Sequence, residues 1–213
     1  IGAFVGQFDA SVVQLALPTL KDAFAVPIDA VRWVAIAYLL AFAACLPLFG
    51  KLCDLFDRKR LYLLGFGLFA AASTACGLAE DLSMLVAARV VEGMGGALLG
   101  ANSMPILATV IPPDRRSHAI GLFTASQAIG ISAGPVVGGV LLGLLSWRWV
   151  FWMVVPFGVV AILLGAWVLP RAMTAPVRRS LDVTGAILIV PGLVLAVLLV
   201  LQVGVWPLAS WQM

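Results

Sequence analysis

The chain has 213 residues, of which 63% are hydrophobic and 11% are charged, and its mean hydropathy is +1.12. Soluble domains are about one quarter charged and about half apolar, so this composition excludes a disordered chain, a nucleic-acid-binding domain and nearly every soluble enzyme. The net charge of +3 comes from short basic clusters between apolar runs, which is typical of membrane topology. We predict an all-α polytopic membrane protein in a lipid bilayer, with no nucleic acid partner.

Seven apolar segments are long enough to cross a membrane, since a helix needs about 20 apolar residues to do so. They lie at about 1–18, 31–52, 61–79, 82–107, 119–145, 149–169 and 183–205. We therefore expect a six-helix transmembrane bundle over 1–169, a loop over 170–182, and a seventh helix with the start of an outer loop over 183–213. Because Ile1 lies inside an apolar stretch, the first helix is expected to be truncated and the chain to be part of a longer protein.

The distribution of lysine and arginine predicts the orientation in the membrane. Nine of the thirteen basic residues follow the second, fourth and sixth segments, and three lie in the other connections, namely Lys21, Arg32 and Arg148. Loops rich in lysine and arginine stay in the cytoplasm. We therefore expect a multi-pass protein of the cell (inner) membrane whose loops 2–3, 4–5 and 6–7 are cytoplasmic.

Three ionisable residues lie within the predicted spans: Asp9 in the first segment, and Arg89 and Glu92 in the fourth. Each costs at least about 2.5 kcal/mol at mid-bilayer, so a functional role is the first hypothesis. Arg89 and Glu92 are three residues apart and share one helical face. They form either a structural salt bridge or a proton relay in which movement of the arginine changes the affinity of the carboxylate for protons.

Asp9 has no charged neighbour within its own helix. Uncompensated burial would favour its protonated form, as a proton-coupled transporter needs. The alternative is that Asp9 lies near the wet end of a truncated helix, where it is ionised and has no role.

The fifth segment carries glycines at a spacing of four residues, which lets another helix approach closely. The glycines of interest are Gly130, Gly134, Gly138 and Gly139, and Pro135 lies among them. Pro135 removes a backbone hydrogen bond and is expected to kink the helix. Residues 50–60 form a second candidate for conformational control, because carboxylates beside arginines can make a cytoplasmic gate; the alternative is a basic cluster that only sets topology.

No sequence pattern for a catalytic centre is present. The chain lacks H-E-x-x-H, G-x-S-x-G and G-x-x-x-x-G-K-[ST]. The three cysteines, Cys45, Cys53 and Cys76, show no C-x-x-C spacing and are interpreted as small core residues. We expect no enzymatic activity, no metal site and no cofactor.

Taken in order, these motifs resemble the major facilitator superfamily, in particular its fourteen-helix drug:proton antiporter branch. Phe8–Pro18 resembles the first-helix motif L-D-x-T-I-V-N-V-A-L-P of that branch, with Ser11 in place of threonine. Gly50–Arg60 resembles motif A, G-x-L-a-D-r-x-G-r-K, and Arg89–Gly93 resembles motif B, R-x-x-q-G. Gly130–Gly139 matches the antiporter motif C, G-x-x-x-G-P-x-x-G-G.

The resemblance implies roles only at the matching positions. Asp9 would be a protonation or cation-recognition site, Arg89 would act in proton transfer with Glu92 beside it, and the glycines around Pro135 would govern switching. In motif A, Gly50, Asp54 and Arg58 match and would form a cytoplasmic latch. Asp57 replaces the second glycine of the motif, which predicts a change of loop geometry because aspartate adopts left-handed backbone less readily.

The sequence therefore predicts the N-terminal half of a proton-coupled antiporter that exports amphipathic, cationic small molecules by alternating access. Its expected partners are a small-molecule substrate, protons, the bilayer and a missing C-terminal half of the same chain. Transport of an anionic metabolite is one alternative, and a non-transporting membrane scaffold or sensor with the same fold is another.

Overall fold

The computed structural model describes residues 1–170 together with Pro191, Gly192 and Leu195. Apart from these residues, the predicted loop at 170–182 and the predicted seventh helix lie outside the described part of the chain.

The described residues form helices joined by short connections. In chain order the helices are α1 (Gly2–Phe24), α2 (Ile28–Leu55), α3 (Arg58–Gly77), α4 (Leu82–Val110), a 3-10 turn (Pro113–Arg115), α5 (Arg116–Leu144), α6 (Arg148–Trp152) and α7 (Val154–Val168). Five helical stretches are long and apolar enough to cross a membrane: 28–55, 58–77, 82–110, 113–144 and 148–168. The short α6 and the longer α7 thus make one span, and the all-α prediction is confirmed.

The first helix is longer than the sequence predicted. It ends at Phe24 rather than near residue 18, and Pro18 lies inside it. The helix is closed by Ala25, whose backbone is left-handed with φ 52° and whose N–H donates to the carbonyl of Lys21. Lys21 and Asp22 therefore belong to α1 although they are polar, because the backbone hydrogen bonds of the helix continue beyond its apolar residues.

Two aspartates cap helices at their N-termini. Asp57 accepts a hydrogen bond from the Lys59 amide at 3.0 Å and has φ −59°. The expectation that its replacement of glycine disturbs a left-handed loop is wrong, since this position is not left-handed here. Asp81 caps α4, and hydrogen bonds from the Ser83 hydroxyl and from the Met84 amide lower the pKa of Asp81.

Long-range contacts define the two ends of the bundle. At one end, the Lys59 ammonium at the start of α3 donates to the carbonyls of Ala166 and Leu169 at the end of α7. At the other end, the Arg148 guanidinium donates to the Ala79 carbonyl at 3.3 Å. The α2–α3 connection and the end of α7 therefore lie at one end of the bundle, and the α3–α4 connection and the start of α6 lie at the other.

Helix α4 packs closely against its neighbours through glycines. A Cβ added at Gly93 would lie 2.5 Å from the backbone carbonyl oxygen of Tyr38 in α2. A Cβ added at Gly95 would lie 2.7 Å from the backbone nitrogen of Phe69 in α3. Real Cβ atoms do not approach backbone this closely, so these glycines allow α4 to lie between α2 and α3 at backbone contact.

Replacing Gly95 with alanine is expected to destabilise the bundle, because the added methyl group meets backbone that cannot rotate away. Overpacking of this kind costs about 1–3 kcal/mol. Thermal denaturation of the purified full-length protein in detergent measures the effect. Gly67→Ala in α3 is the matched control, since a Cβ there meets no atom within 4 Å. Equal melting temperatures for the two variants would contradict close packing at Gly95.

Candidate functional site

The three ionisable residues predicted inside the membrane meet at one point of the bundle. The Arg89 guanidinium nitrogen Nη1 lies 2.8 Å from Asp9 Oδ2 and 2.7 Å from Glu92 Oε2. Asp9 comes from α1, and the other two residues come from adjacent turns of α4. We call Asp9, Arg89 and Glu92 the charge cluster. It brings together residues 80 positions apart in the chain.

The charge cluster is sealed from the surface. The exposed fraction is 0% for Asp9, 1% for Arg89 and 0% for Glu92. The position of Asp9 at a wet helix end, which was one interpretation of the sequence, is thus wrong. Its expected lack of a charged partner is also wrong, because the partner comes from another helix.

The charge cluster contains two carboxyl groups and one guanidinium. Asp9 Oδ1 and Glu92 Oε1 are buried without a hydrogen-bond partner among the described residues. Burying an uncompensated charge is costly, so a second full negative charge next to one arginine is unfavourable. The cluster therefore holds one carboxyl group more than its single guanidinium can balance, and two carboxyl oxygens lack a hydrogen-bond partner among the described residues.

Aromatic rings and backbone hold the arginine in place. The Arg89 carbon Cζ lies 4.3 Å from the centre of the Tyr38 ring in α2 and 5.9 Å from that of Phe151 in α6. Its Nε donates to the Val34 carbonyl at 3.2 Å. These cation–π contacts and the backbone bond leave the guanidinium few other positions. Movement of α1 relative to α4 would therefore change the Asp9 contact before the others.

The Cys76 thiol of α3 donates to Glu92 Oε2 at 3.4 Å. Glu92 Oε2 thus accepts from both Arg89 and Cys76, whereas its second oxygen accepts from neither. Cys76 was predicted only as a small core residue, and the structure gives it a polar contact that its spacing from Glu92 does not indicate.

A cavity of about 170 Å³ lies beside the charge cluster. Its walls come from α1, α2, α4 and α5, and they include Gln7, Tyr38, Phe42, Phe123 and Gln127. No charged side chain is among the described residues that line it. Tyr38 both lines this cavity and covers Arg89, so one ring separates the space from the buried charge.

The motif A residues lie near the end of the bundle that carries Lys59. Asp54 and Arg58 form an ion pair four residues apart, and the side chain of Asp54 is 52% exposed while that of Arg58 is 16% exposed. Gly50 faces open space, because a Cβ there meets no atom within 4 Å. The pair joins the end of α2 to the start of α3.

The glycines of α5 face α1. A Cβ at Gly130 would lie 2.7 Å from the carbonyl oxygen of Phe4, and one at Gly138 would lie 3.1 Å from Val12 Cγ1. Gly134 is in still closer contact with Ser11. Gly139, which the sequence placed in the same group, meets no atom within 4 Å. Three of the four predicted glycines therefore form the α1–α5 contact.

Within the described ranges, no group of three or more histidine, cysteine, aspartate and glutamate side chains is arranged to hold a metal ion. The charge cluster places two carboxyl groups against one guanidinium.

Apolar helices that surround buried ionisable residues define an integral membrane protein. The chain belongs to the Major Facilitator Superfamily, which matches residues 1–211.

Two curated relatives and one solved structure illustrate the similarity. The chain is 34% identical over 188 residues to the riboflavin transporter RibZ of Clostridioides difficile (strain 630), covering 88% of this chain and 41% of RibZ. It is 34% identical over 191 residues to the multidrug resistance protein Stp of Mycobacterium tuberculosis (strain CDC 1551 / Oshkosh), covering 89% of this chain and 35% of Stp. The chain thus spans between about a third and two fifths of the length of these relatives.

The fold is similar to a crystal structure of the peptide transporter POT in complex with alafosfalin. The TM-score is 0.73 at 19% identity, and the match covers 93% of this chain and 44% of that one. This likeness shows the major facilitator fold.

Proposed function

We propose that the complete protein exports amphipathic, cationic small molecules in exchange for protons, by alternating access between two helix bundles. This chain supplies the first six-helix bundle over 1–169, followed by the loop at 170–182 and a seventh helix in 183–213. The basic residues favour a cytoplasmic location for the end of the bundle that carries Lys59.

The observation that carries the proposal is the stoichiometry of the charge cluster. One buried guanidinium between two buried carboxyl groups favours a bound proton. Arrival of a cationic substrate in the adjacent cavity would repel that proton, and its departure would restore the affinity. Exchange of a proton for a cation follows from this competition.

The gating elements of the proposal lie outside the charge cluster. The Asp54–Arg58 pair and Gly50 form the latch at the cytoplasmic end. In α5, Gly130, Gly134 and Gly138 form the face that slides against α1, and Pro135 and Gly139 belong to the segment that flexes. The glycine contacts support this role for α5, because flat helix faces permit sliding at backbone distance.

The name of Stp is consistent with drug export, whereas the name of RibZ gives a different substrate class. The cavity lining favours export of a cationic drug, because its aromatic rings and two glutamines suit a flat or amphipathic cation. An anion would need a cationic side chain, and none is among the described residues that line the cavity. An anionic metabolite carrier and a membrane scaffold without transport remain the competing functions.

The test is flux in vesicles that contain the full-length protein. A cationic dye is expected to move against its gradient when an opposing proton gradient is imposed, and to stop when an ionophore that exchanges potassium for protons removes the pH difference. Riboflavin and an anionic dye serve as competing substrates. Flux of either of these, without flux of the cationic dye, would contradict export of cations, and absence of any flux would favour a scaffold.

A further inference from the structure

The Ser11 hydroxyl of α1 donates a hydrogen bond to the Ile131 carbonyl of α5 at 2.9 Å. Ile131 is four residues before Pro135, and in a regular helix its carbonyl accepts from the backbone N–H of residue 135. Proline has no N–H. The Ser11 hydroxyl of α1 therefore bonds the carbonyl oxygen of α5 that has no backbone donor because residue 135 is proline.

This replacement of a backbone donor by a side-chain donor is found at one helix proline of the described residues. Four prolines lie inside the longer helices, namely Pro18, Pro47, Pro105 and Pro135. Among the hydrogen bonds of the described residues, a side chain donates to the carbonyl four positions earlier only at Pro135. A donor at such a carbonyl is favourable at membrane depth, because lipid supplies none.

Ser11 also packs directly against Gly134 of α5. A Cβ atom added at Gly134 would clash with the Ser11 side chain. The hydroxyl therefore reaches the α5 backbone only because residue 134 is glycine. Two residues earlier on the same helix, Asp9 bonds Arg89 at 2.8 Å. One short stretch of α1 thus bonds Arg89 through Asp9 and the Ile131 carbonyl of α5 through Ser11.

We infer that Ser11 is a positioning residue that joins the segment of α5 around Pro135 to the position of α1, so that movement of α1 at the charge cluster is transmitted to that segment. The inference rests on the proposed function for its role in transport, although the hydrogen bond itself does not. Ser11 is absent from the described lining of the cavity. It is therefore expected to affect turnover rather than substrate affinity.

A double-mutant cycle in the full-length protein tests the inference. Ser11→Ala, Pro135→Ala and the combined variant are purified, and their thermal denaturation is measured in detergent. Ser11→Ala alone is expected to lower the folding equilibrium constant roughly fivefold, the effect of one neutral hydrogen bond. In the Pro135→Ala background the change is expected to vanish, because the alanine supplies the missing backbone N–H. Equal effects of Ser11→Ala in both backgrounds would overturn the inference.

Two further variants separate the hydrogen bond from a general effect on packing. Ser11→Thr keeps the hydroxyl and is expected to retain wild-type behaviour. Thr124→Ala is the matched control, since the Thr124 hydroxyl bonds the Ile120 carbonyl within its own helix. If Ser11→Ala fails to fold alone but folds with Pro135→Ala, the coupling is confirmed, and failure in both backgrounds counts against it.

Dye flux then tests the role in transport. Ser11→Ala is expected to reduce turnover several-fold with an unchanged KM, and Ser11→Thr to restore turnover. An increase in KM with unchanged turnover would place Ser11 at the substrate and overturn the positioning role. If the denaturation cycle shows coupling between Ser11 and Pro135 but the protein transports no cation, the inference about the hydrogen bond stands and the proposed function is contradicted.

Discussion

Replacing Arg89 with leucine is expected to be among the most damaging single substitutions in the described part of the chain. Two carboxyl groups, Asp9 and Glu92, would remain buried with no cation. Removing one partner from a buried ion pair costs about 3–5 kcal/mol, because the remaining charge is uncompensated. We expect the variant to accumulate poorly and to melt far below the wild type when purified in detergent.

The effect of the uncompensated carboxylates on stability can be separated from the effect of lost arginine packing. The triple variant Asp9→Asn, Arg89→Leu, Glu92→Gln removes every formal charge from the cluster and is expected to recover much of the stability, although not transport. Recovery would show that uncompensated charge caused the defect. If the triple variant is as unstable as Arg89→Leu, the contribution of Arg89 is its packing against Tyr38 and Phe151.

A surface ion pair provides the control for the same substitution. Arg32 pairs with Asp29 at 2.8 Å, and the side chains are 58% and 80% exposed. Exposed pairs contribute about 0–1 kcal/mol. Arg32→Leu is therefore expected to leave the melting temperature nearly unchanged, and a loss equal to that of Arg89→Leu would contradict the importance of burial.

The sequence alone predicted the spans well because length and hydropathy are nearly sufficient in a membrane. Each of the second to sixth predicted segments matches a helical span to within a few residues. The first helix was the exception, because the rule measures apolar length while the hydrogen bonds of α1 continue past Pro18 to Phe24. The sixth span also contains a break near Met153 that hydropathy does not detect.

The members of the charge cluster were predictable, but their arrangement was not. A charged residue in an apolar segment is visible in any sequence, and the i, i+3 spacing of Arg89 and Glu92 predicts their contact. The pairing of Asp9 with Arg89 depends on how α1 packs against α4, which no local pattern encodes. Tyr38 and Cys76 were missed for the same reason, since each acts through a neighbour on another helix.

The spacing of the α5 glycines predicted a close helix contact but not which helix makes it. Gly130, Gly134 and Gly138 share a face by their spacing, and the structure places α1 against that face. Ser11 was visible only as a replacement for threonine in a motif. Its bond to Ile131 depends on the register between α1 and α5, which the packing of the two helices sets.

Replacing Asp9 with asparagine is expected to abolish proton-coupled flux while leaving the protein folded. Asparagine can still accept a hydrogen bond from Arg89, and Glu92 remains to balance the guanidinium. An amide cannot take up or release a proton in this pH range, so flux of a cationic dye driven by a proton gradient should fall to the background rate. Asp29→Asn, at an exposed position, is the matched control and should transport normally. A folded full-length Asp9→Asn variant that retains proton-coupled efflux would contradict the role of Asp9.

The comparison with Glu92→Gln shows which carboxyl group carries the exchangeable proton. Either substitution leaves one carboxylate opposite one guanidinium, so the two variants have the same net charge in the cluster. Asp9 lies on α1, the helix that packs against the glycines of α5, so its contact with Arg89 changes whenever α1 moves relative to α4. Glu92 is fixed on α4 beside Arg89 and hydrogen-bonded to Cys76. We therefore expect Glu92→Gln to keep efflux with an altered dependence on pH, and Asp9→Asn to lose it. Dye flux measured across a series of external pH values decides between them, and the reverse result would assign the exchangeable proton to Glu92.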